Sequence, residues 1–291
     1  DGMTLKYANG ATMAVEAGDT ITLYADATIT AKYVVKASVT ADDKSMTYGE
    51  EVPKLTYTPD VPDGYTLTTP TLSLGDYNAE TGTRAIILSN AWVADGNGTA
   101  LDAAQLELTV NNGTLTVAKR NITISAKPVT SEYTGSAVNA TENEITSGSL
   151  ATGDSIKSVE YTGGPVNAGT GTSTPSAAVI VDANGNDVTA NYNITYSGAE
   201  VTVSKYSGEV VITAKDATKP YDGSALTASN DVTVSGLLGT DTVEAKVSGE
   251  ATVPGKDGTA KVDSYVIKNA AGEDVSGNYG NVKLTDGKLT V

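Results

Sequence analysis

The stretch LELTVNNGTLTV, residues 106–117, alternates apolar and polar side chains on both sides of an Asn-Gly pair. A period of two marks a half-buried strand, and Asn-Gly supplies the positive φ that a two-residue hairpin turn needs. The form returns as YNITYSGAEVTV at 192–203 and as NVKLTDGKLTV at 281–291, with Ser-Gly and Asp-Gly at the centre. Three C-terminal β-hairpins are therefore expected, one closing each of three repeats.

The opening of each repeat reads the same way. Ile122, Ile124 and Ala126 alternate with Thr123, Ser125 and Lys127, and Val210, Ile212 and Ala214 alternate with Val211, Thr213 and Lys215. Such spacing places the two sets on opposite faces of a strand. No window carries a helical period, although LDAAQLEL at 101–108 has room for one turn before its strand. The fold class is all-β.

Between opening and close, a corner motif recurs: MTYGEEV at 46–52, SEYTGSAV at 131–138 and KPYDGSAL at 219–226, so that Tyr48, Tyr133 and Tyr221 keep a stride of about 85 residues. Further landmarks hold that stride. Asn78-Ala79-x-Thr81-Gly82-Thr83 returns as Asn167-Ala168-x-Thr170-Gly171-Thr172, with Gly258-Thr259 in the third copy. Gly185 to Tyr192, GNDVTANY, returns as GEDVSGNY at 272–279, while the first copy departs with GNGTALDAAQLEL. The domains are expected at 37–119, 120–204 and 205–291, preceded by a partial β segment of a different module at 1–36 with a hairpin turn at Gly18-Asp19. Each repeat has short strands and frequent turns over about 85 residues, which suits an immunoglobulin-like β-sandwich; a β-grasp module is the alternative.

The seams are short, Ala118-Lys119-Arg120 in one case and Ser204 to Gly208 in the other. Modules joined this tightly are expected to stack into an elongated array on the order of 100 Å or longer, at about 3.3 Å per strand residue.

Composition excludes several function classes. The chain has 291 residues, 35 acidic against 19 basic, and a formal charge of -16, which repels nucleic acid phosphate. It has no Cys and no His, so thiol chemistry, disulfides and the commonest general base are absent. The apolar run AAVIV at 177–181 is far too short to cross a bilayer, and no charged-then-apolar leader opens the chain, so a mature product or an excised fragment is expected. Paired carboxylates can run glycoside hydrolysis without His or Cys, but no pair stands out from the turns and polar faces that solubility explains. No enzyme activity and no cofactor are expected.

Three aromatic residues are candidates for binding. With no Phe, a single Trp and 15 Tyr, tyrosine must do most of the aromatic packing. Tyr133 and Tyr221 are read first as structural corners, the ring on the core edge and the hydroxyl in water, with ligand stacking as the alternative. Trp92, in ILSNAWVADG, is read as core of the first repeat, and as a sugar-stacking face if exposed. DANGND at 182–187 offers Asp182, Asn184, Asn186 and Asp187 as candidate calcium ligands. An EF-type loop needs Gly at its sixth position and a later bidentate Glu, and Asp187 stands at the sixth, so a solvated turn is preferred.

Taken in order, Tyr221-Asp222-Gly223, the pairs Gly75-Asp76 and Gly153-Asp154, the late Asn-Tyr, and the closing GTLTV and GKLTV resemble the YDG and MBG repeat domains of bacterial cell-surface proteins. Tyr48-Gly49, with no intervening residue, resembles the YGX subtype. The resemblance spans residues 37–291. It implies tandem β-rich modules of long, often wall-attached adhesins, with MBG named by relation to mucin-binding proteins, although no LPxTG sorting signal occurs. A further possibility is the intramolecular Lys-Asn isopeptide bond that some Gram-positive surface modules contain, with Lys127 and Asn191 or Asn193, or Lys215 and Asn278, as partners. Such a bond needs a buried neutral Lys, whereas alternation puts both lysines on the polar face.

The expected function is a non-catalytic extracellular stalk or adhesin repeat region at the bacterial cell surface or wall, a monomer that spaces or presents a binding head. The alternative is a module that itself binds a host glycan, mucin or another surface protein, without nucleic acid and without membrane insertion.

Overall fold

The computed structural model describes residues 3–6, 12–15, 20, 34–75 and 80–291. The chain is all-β, and the same seven-strand plan is drawn three times. In the first repeat a three-stranded sheet takes Leu106–Asn111, Val35–Ala41 and Tyr57–Asp60 in that order, and a four-stranded sheet takes Lys44–Thr47, Gly113–Ala118, Gly82–Ser89 and Thr71–Leu74. The second repeat has Asn143–Gly148, Arg120–Ala126 and Tyr192–Ser197 in one sheet, and Val129–Glu132, Ala199–Ser204, Gly169–Val181 and Ser155–Thr162 in the other. The third has Val232–Ser235, Tyr206–Ala214 and Tyr279–Thr285, then Ala217–Thr218, Gly287–Thr290, Gly258–Lys268 and Thr242–Ser248.

Seven short strands divided over two sheets make each repeat an immunoglobulin-like β-sandwich. A β-grasp module would lay a helix across one mixed sheet. The helical content of the described residues is two single 3₁₀ turns, Thr189–Asn191 and Ser276–Asn278.

Alternation decides the cores. Ile122, Ile124 and Ala126 are buried, as are Val210, Ile212 and Ala214. The latter set meets Ala260, Val262 and Leu289 of the facing sheet in one cluster. Burying one such side chain contributes about 1.5–3 kcal/mol. Ser125 is the departure: it is buried too, and its hydroxyl hydrogen-bonds that of Thr146 at 2.7 Å.

The expected closing hairpins do not form. Leu106–Asn111 lies parallel to Val35–Ala41, Leu106 opposite Val35, and Gly113–Ala118 lies parallel to Lys44–Thr47, Leu115 opposite Lys44. The chain does not reverse at Asn112-Gly113 but bends, and the paired ribbon passes from one sheet to the other there. The third repeat does the same, with Val210 opposite Val282 and Ala217 opposite Leu289. Gly113 and Gly287 are required by close approach: a Cβ on either would lie 2.5 Å from a backbone oxygen, of Ala41 and Ala214 respectively. The Asp43 carboxylate accepts the Thr114 N–H at 2.7 Å and the Asp216 carboxylate accepts that of Lys288 at 2.6 Å, which braces the bend.

Ahead of the repeats, Met3–Lys6 pairs antiparallel with Thr12–Val15. The Gly18-Asp19 turn, Asp76 and the Asn78-Ala79 pair lie outside the described residues. By packing, the chain forms two compact units. One is Asp1–Arg120 with Leu150–Gly153 and Ala190–Asn193; the other is Asn121–Ser149, Asp154–Thr189 and Ile194–Val291. The first unit thus takes two short segments from the sequence of the second repeat.

A tyrosine and asparagine junction as candidate functional site

Within the second unit, the corner of repeat 2 meets the late strand of repeat 3. The 3₁₀ turn Ser276–Asn278 ends directly in the strand Tyr279–Thr285, so Asn278 and Tyr279 leave the sheet end together, both buried. Tyr133 and Tyr279 stack edge to face at 5.8 Å between ring centroids, and Tyr206 sits against Tyr279 at the same distance. Such pairs add about 0.5–1.5 kcal/mol beyond area burial.

Hydrogen bonds account for the polar atoms. The Asn278 Oδ1 accepts the Ala168 N–H at 2.8 Å, and its Nδ2 donates to Asn167 Oδ1 at 2.9 Å. The Tyr279 hydroxyl donates to Asp241 Oδ2 at 2.6 Å and accepts the Leu238 N–H at 3.2 Å. Burial, then the Asp241 hydrogen bond, push the Tyr279 phenol well above its ordinary range, and burial raises Tyr133 also. The Glu132 carboxylate accepts the Ser207 N–H at the seam, which holds it below the usual carboxylate range.

The first unit holds a second arrangement of the same kind. Tyr48 and Tyr192 stack edge to face at 5.5 Å, Thr81 donates both its N–H and its hydroxyl to Asn191 Oδ1 at 3.0 and 3.1 Å, and the Tyr192 hydroxyl accepts the Ala151 N–H at 2.9 Å. Here the corner is Tyr48-Gly49, and a Cβ on Gly49 would lie 2.3 Å from that of Ala151. Repeat 2 inserts Thr134 between its Tyr and Gly. Nothing lies within 4 Å of a Cβ built on Gly135, and an open groove of about 360 Å³, polar for the most part, runs between residues 134–136, 238–241 and 269–271.

The sequence candidates fall as follows. Tyr133 is 2% exposed, so its face is given to Tyr279, and neither ligand stacking nor a hydroxyl in water describes it. Tyr221 is 64% exposed. Trp92 is 38% exposed in the short strand Trp92–Ala94, paired with Thr66–Thr68, and so is not the core residue expected. Alternation along that strand buries the next residue, Val93, and leaves Trp92 on the opposite face.

The loop of Asp182, Asn184, Asn186 and Asp187 is an Asx turn. The Asp182 carboxylate accepts the N–H groups of Asn184 and Asn186, both at 2.9 Å, and the Asn186 side-chain amide, while the Asp187 carboxylate accepts the Thr189 N–H. These bonds hold both carboxyls below the usual range. Among the described residues no group of three or more acidic side chains converges as a metal site would. For the isopeptide partners, Lys127 is half-exposed and pairs with Glu142 at 3.1 Å, Lys215 is exposed, and the Asn191 and Asn278 amides are engaged as described above. Neither lysine has the burial that the bond needs.

Sequence reasoning named Asn167 as a repeat landmark and Asn278 as an isopeptide candidate, but missed the junction that they form and the parts of Asp241 and Tyr279 in it. The signal was present in the paired return of Asn-Ala and Asn-Tyr, residues unusual for a core and repeated together.

Fold and junction define the class: tandem all-β repeats that bury an Asn-Tyr pair against a neighbouring Tyr corner. No family model matches the chain, and no curated protein matches it. Among solved structures it is similar to Drosophila N-cadherin EC1-4, at 8% identity over 88% of this chain and 75% of that one, with a TM-score of 0.19. It is also similar to the I9-I11 tandem of titin, at 10% identity over 88% of this chain and 98% of that one, with a TM-score of 0.21. Among the described residues no helix is long and apolar enough to cross a membrane.

Proposed function

We propose that the chain is a non-catalytic extracellular stalk or adhesin repeat region of a bacterial surface protein, spacing or presenting a binding head. The observation that supports this reading is the junction of repeats 2 and 3, where the buried Asn278 bonds across the join to the Asn167 side chain and to the Ala168 N–H. Buried polar groups of this kind favour one register over others. A chain that invests them between modules is built to hold modules in order.

The test is a binding assay of the whole chain against glycan arrays and mucin at physiological salt. The stalk reading expects no saturable binding. A second reading, a glycan- or mucin-binding module, is favoured by one observation, the partly exposed Trp92 ring. Saturable binding that survives salt and disappears in Trp92→Ala would replace the first reading with the second.

A further inference from the structure

The three corner tyrosines differ in one respect. Tyr48 is 8% exposed and Tyr133 is 2% exposed, each with the ring of a late-strand Tyr against it, while Tyr221 is 64% exposed and no ring packs on it among the described residues. The corner around Tyr221 is nevertheless formed. Lys219 pairs with Asp222 at 2.8 Å, the Asp222 carboxylate accepts the Ser224 N–H at 2.9 Å, and Gly223 takes a φ of 83° as Gly135 takes 79°. Val253, in the loop equivalent to the one that carries Asn167 and Ala168, is exposed as well. An exposed aromatic ring on a braced turn, in a repeat that also leaves Val253 exposed, offers apolar surface for a partner.

We infer that the Tyr221 corner is a third socket, and that its occupant is a further module of this repeat type, one that presents an Asn-Tyr pair at the start of its late strand. The argument is continuity with the two filled corners. Both take an Asn-Tyr pair, Asn191-Tyr192 or Asn278-Tyr279. Both latch the asparagine Oδ1 with a backbone N–H from the loop before the long strand, Thr81 in one and Ala168 in the other. In the third repeat Pro254-Gly255 replaces Asn167-Ala168 and the Gly255 N–H donates to the Val291 carbonyl at 3.2 Å, so the ring contact, rather than this latch, carries the third socket. The first repeat, with Gln105-Leu106 in place of Asn-Tyr, does not supply the plug, so a head-to-tail pair of this chain is not the occupant.

The inference deepens the repeat-array reading and rests on it. The experiment nitrates tyrosines with tetranitromethane and locates them by peptide mass spectrometry. Three proteins are compared: the 291-residue chain, the chain extended after Val291 by a copy of residues 204–291, and the chain extended by a copy of residues 204–208 alone. Tyr221 is expected to react in the first and third and to be lost from the nitrated set in the second, at the level of Tyr133. Making Asn278→Ala and Tyr279→Phe in the appended copy only, which leaves the parent junction intact, is expected to restore reaction at Tyr221. Tyr221 that stays reactive beside a folded appended copy, or that is protected by the short extension alone, overturns the inference. Reactive Tyr133 in the unextended chain would instead overturn the junction on which the array reading stands.

Discussion

The side-chain oxygen of Asn278 accepts the backbone N–H of Ala168 at 2.8 Å, across 110 residues of sequence. Its amide nitrogen also donates to Asn167, so one buried asparagine satisfies groups on the neighbouring repeat in both directions. Asn278→Ala leaves the Ala168 N–H without this partner. The expected cost is about 1–3 kcal/mol, read as a lower urea midpoint, with Asn278→Asp no better because it loses the donor to Asn167.

Tyr279 and Tyr133 make unfolding sensitive to alkali. Both phenols have folded pKa values raised above the ordinary value, Tyr279 by burial and then by Asp241, Tyr133 by burial. A group whose folded pKa lies above its unfolded one contributes stability that is complete below the unfolded value, near 10, and is lost as pH rises through the folded value. Melting temperature is expected to fall between about pH 9 and 12 in the native chain, and to fall less in Tyr279→Phe. Tyrosinate absorbance of the folded chain should show two phenols ionising late.

Gly236 has a φ of 86°, and a Cβ there would lie 2.1 Å from the Glu209 oxygen. Gly236→Ala is expected to cost more than about 1 kcal/mol, since conformation and space both oppose it. Gly272, with a φ of 81° and nothing within 4 Å, separates the two causes: its alanine variant meets only the first. Equal losses in the two variants would contradict the close approach.

Trp92 is partly exposed, so acrylamide is expected to quench its fluorescence readily in the folded state, with little gain on unfolding. Trp92→Ala is expected to destabilise by less than the roughly 3–5 kcal/mol of a core tryptophan.

Asp182 already uses both carboxylate oxygens on Asn184 and Asn186. Melting is therefore expected to be unchanged by millimolar calcium or by chelator. A calcium-dependent rise that Asp182→Asn abolishes would show the loop to be a metal site.

Much of the fold was legible because a period of two is a local property. Val210, Ile212 and Ala214 announce their buried face from spacing alone, and their burial follows it. Asn112-Gly113 misled because turn chemistry is also local, while the pairing that overrides it is not: Leu115 is held by Lys44, a partner from the other end of the repeat. The glycine is needed, but for room beside Ala41 rather than for a turn. Tyr133 was legible as a corner and not as a junction, because its covering ring belongs to the next repeat. Asn278 looked like part of a repeated loop, and nothing near it in sequence names Ala168.

The parallel ribbon of each repeat has a mechanical meaning. In the first repeat the opening segment 35–47 and the closing segment 106–118 run side by side in one direction. Tension applied to the two ends of that repeat draws these segments past one another in opposite senses. The ladder hydrogen bonds then carry the load together in shear, and none can open first as in the peeling of a hairpin. The third repeat, with 209–218 beside 281–290, is loaded the same way. The bend that replaced the expected turn thus sets these two repeats to meet tension along the chain in shear.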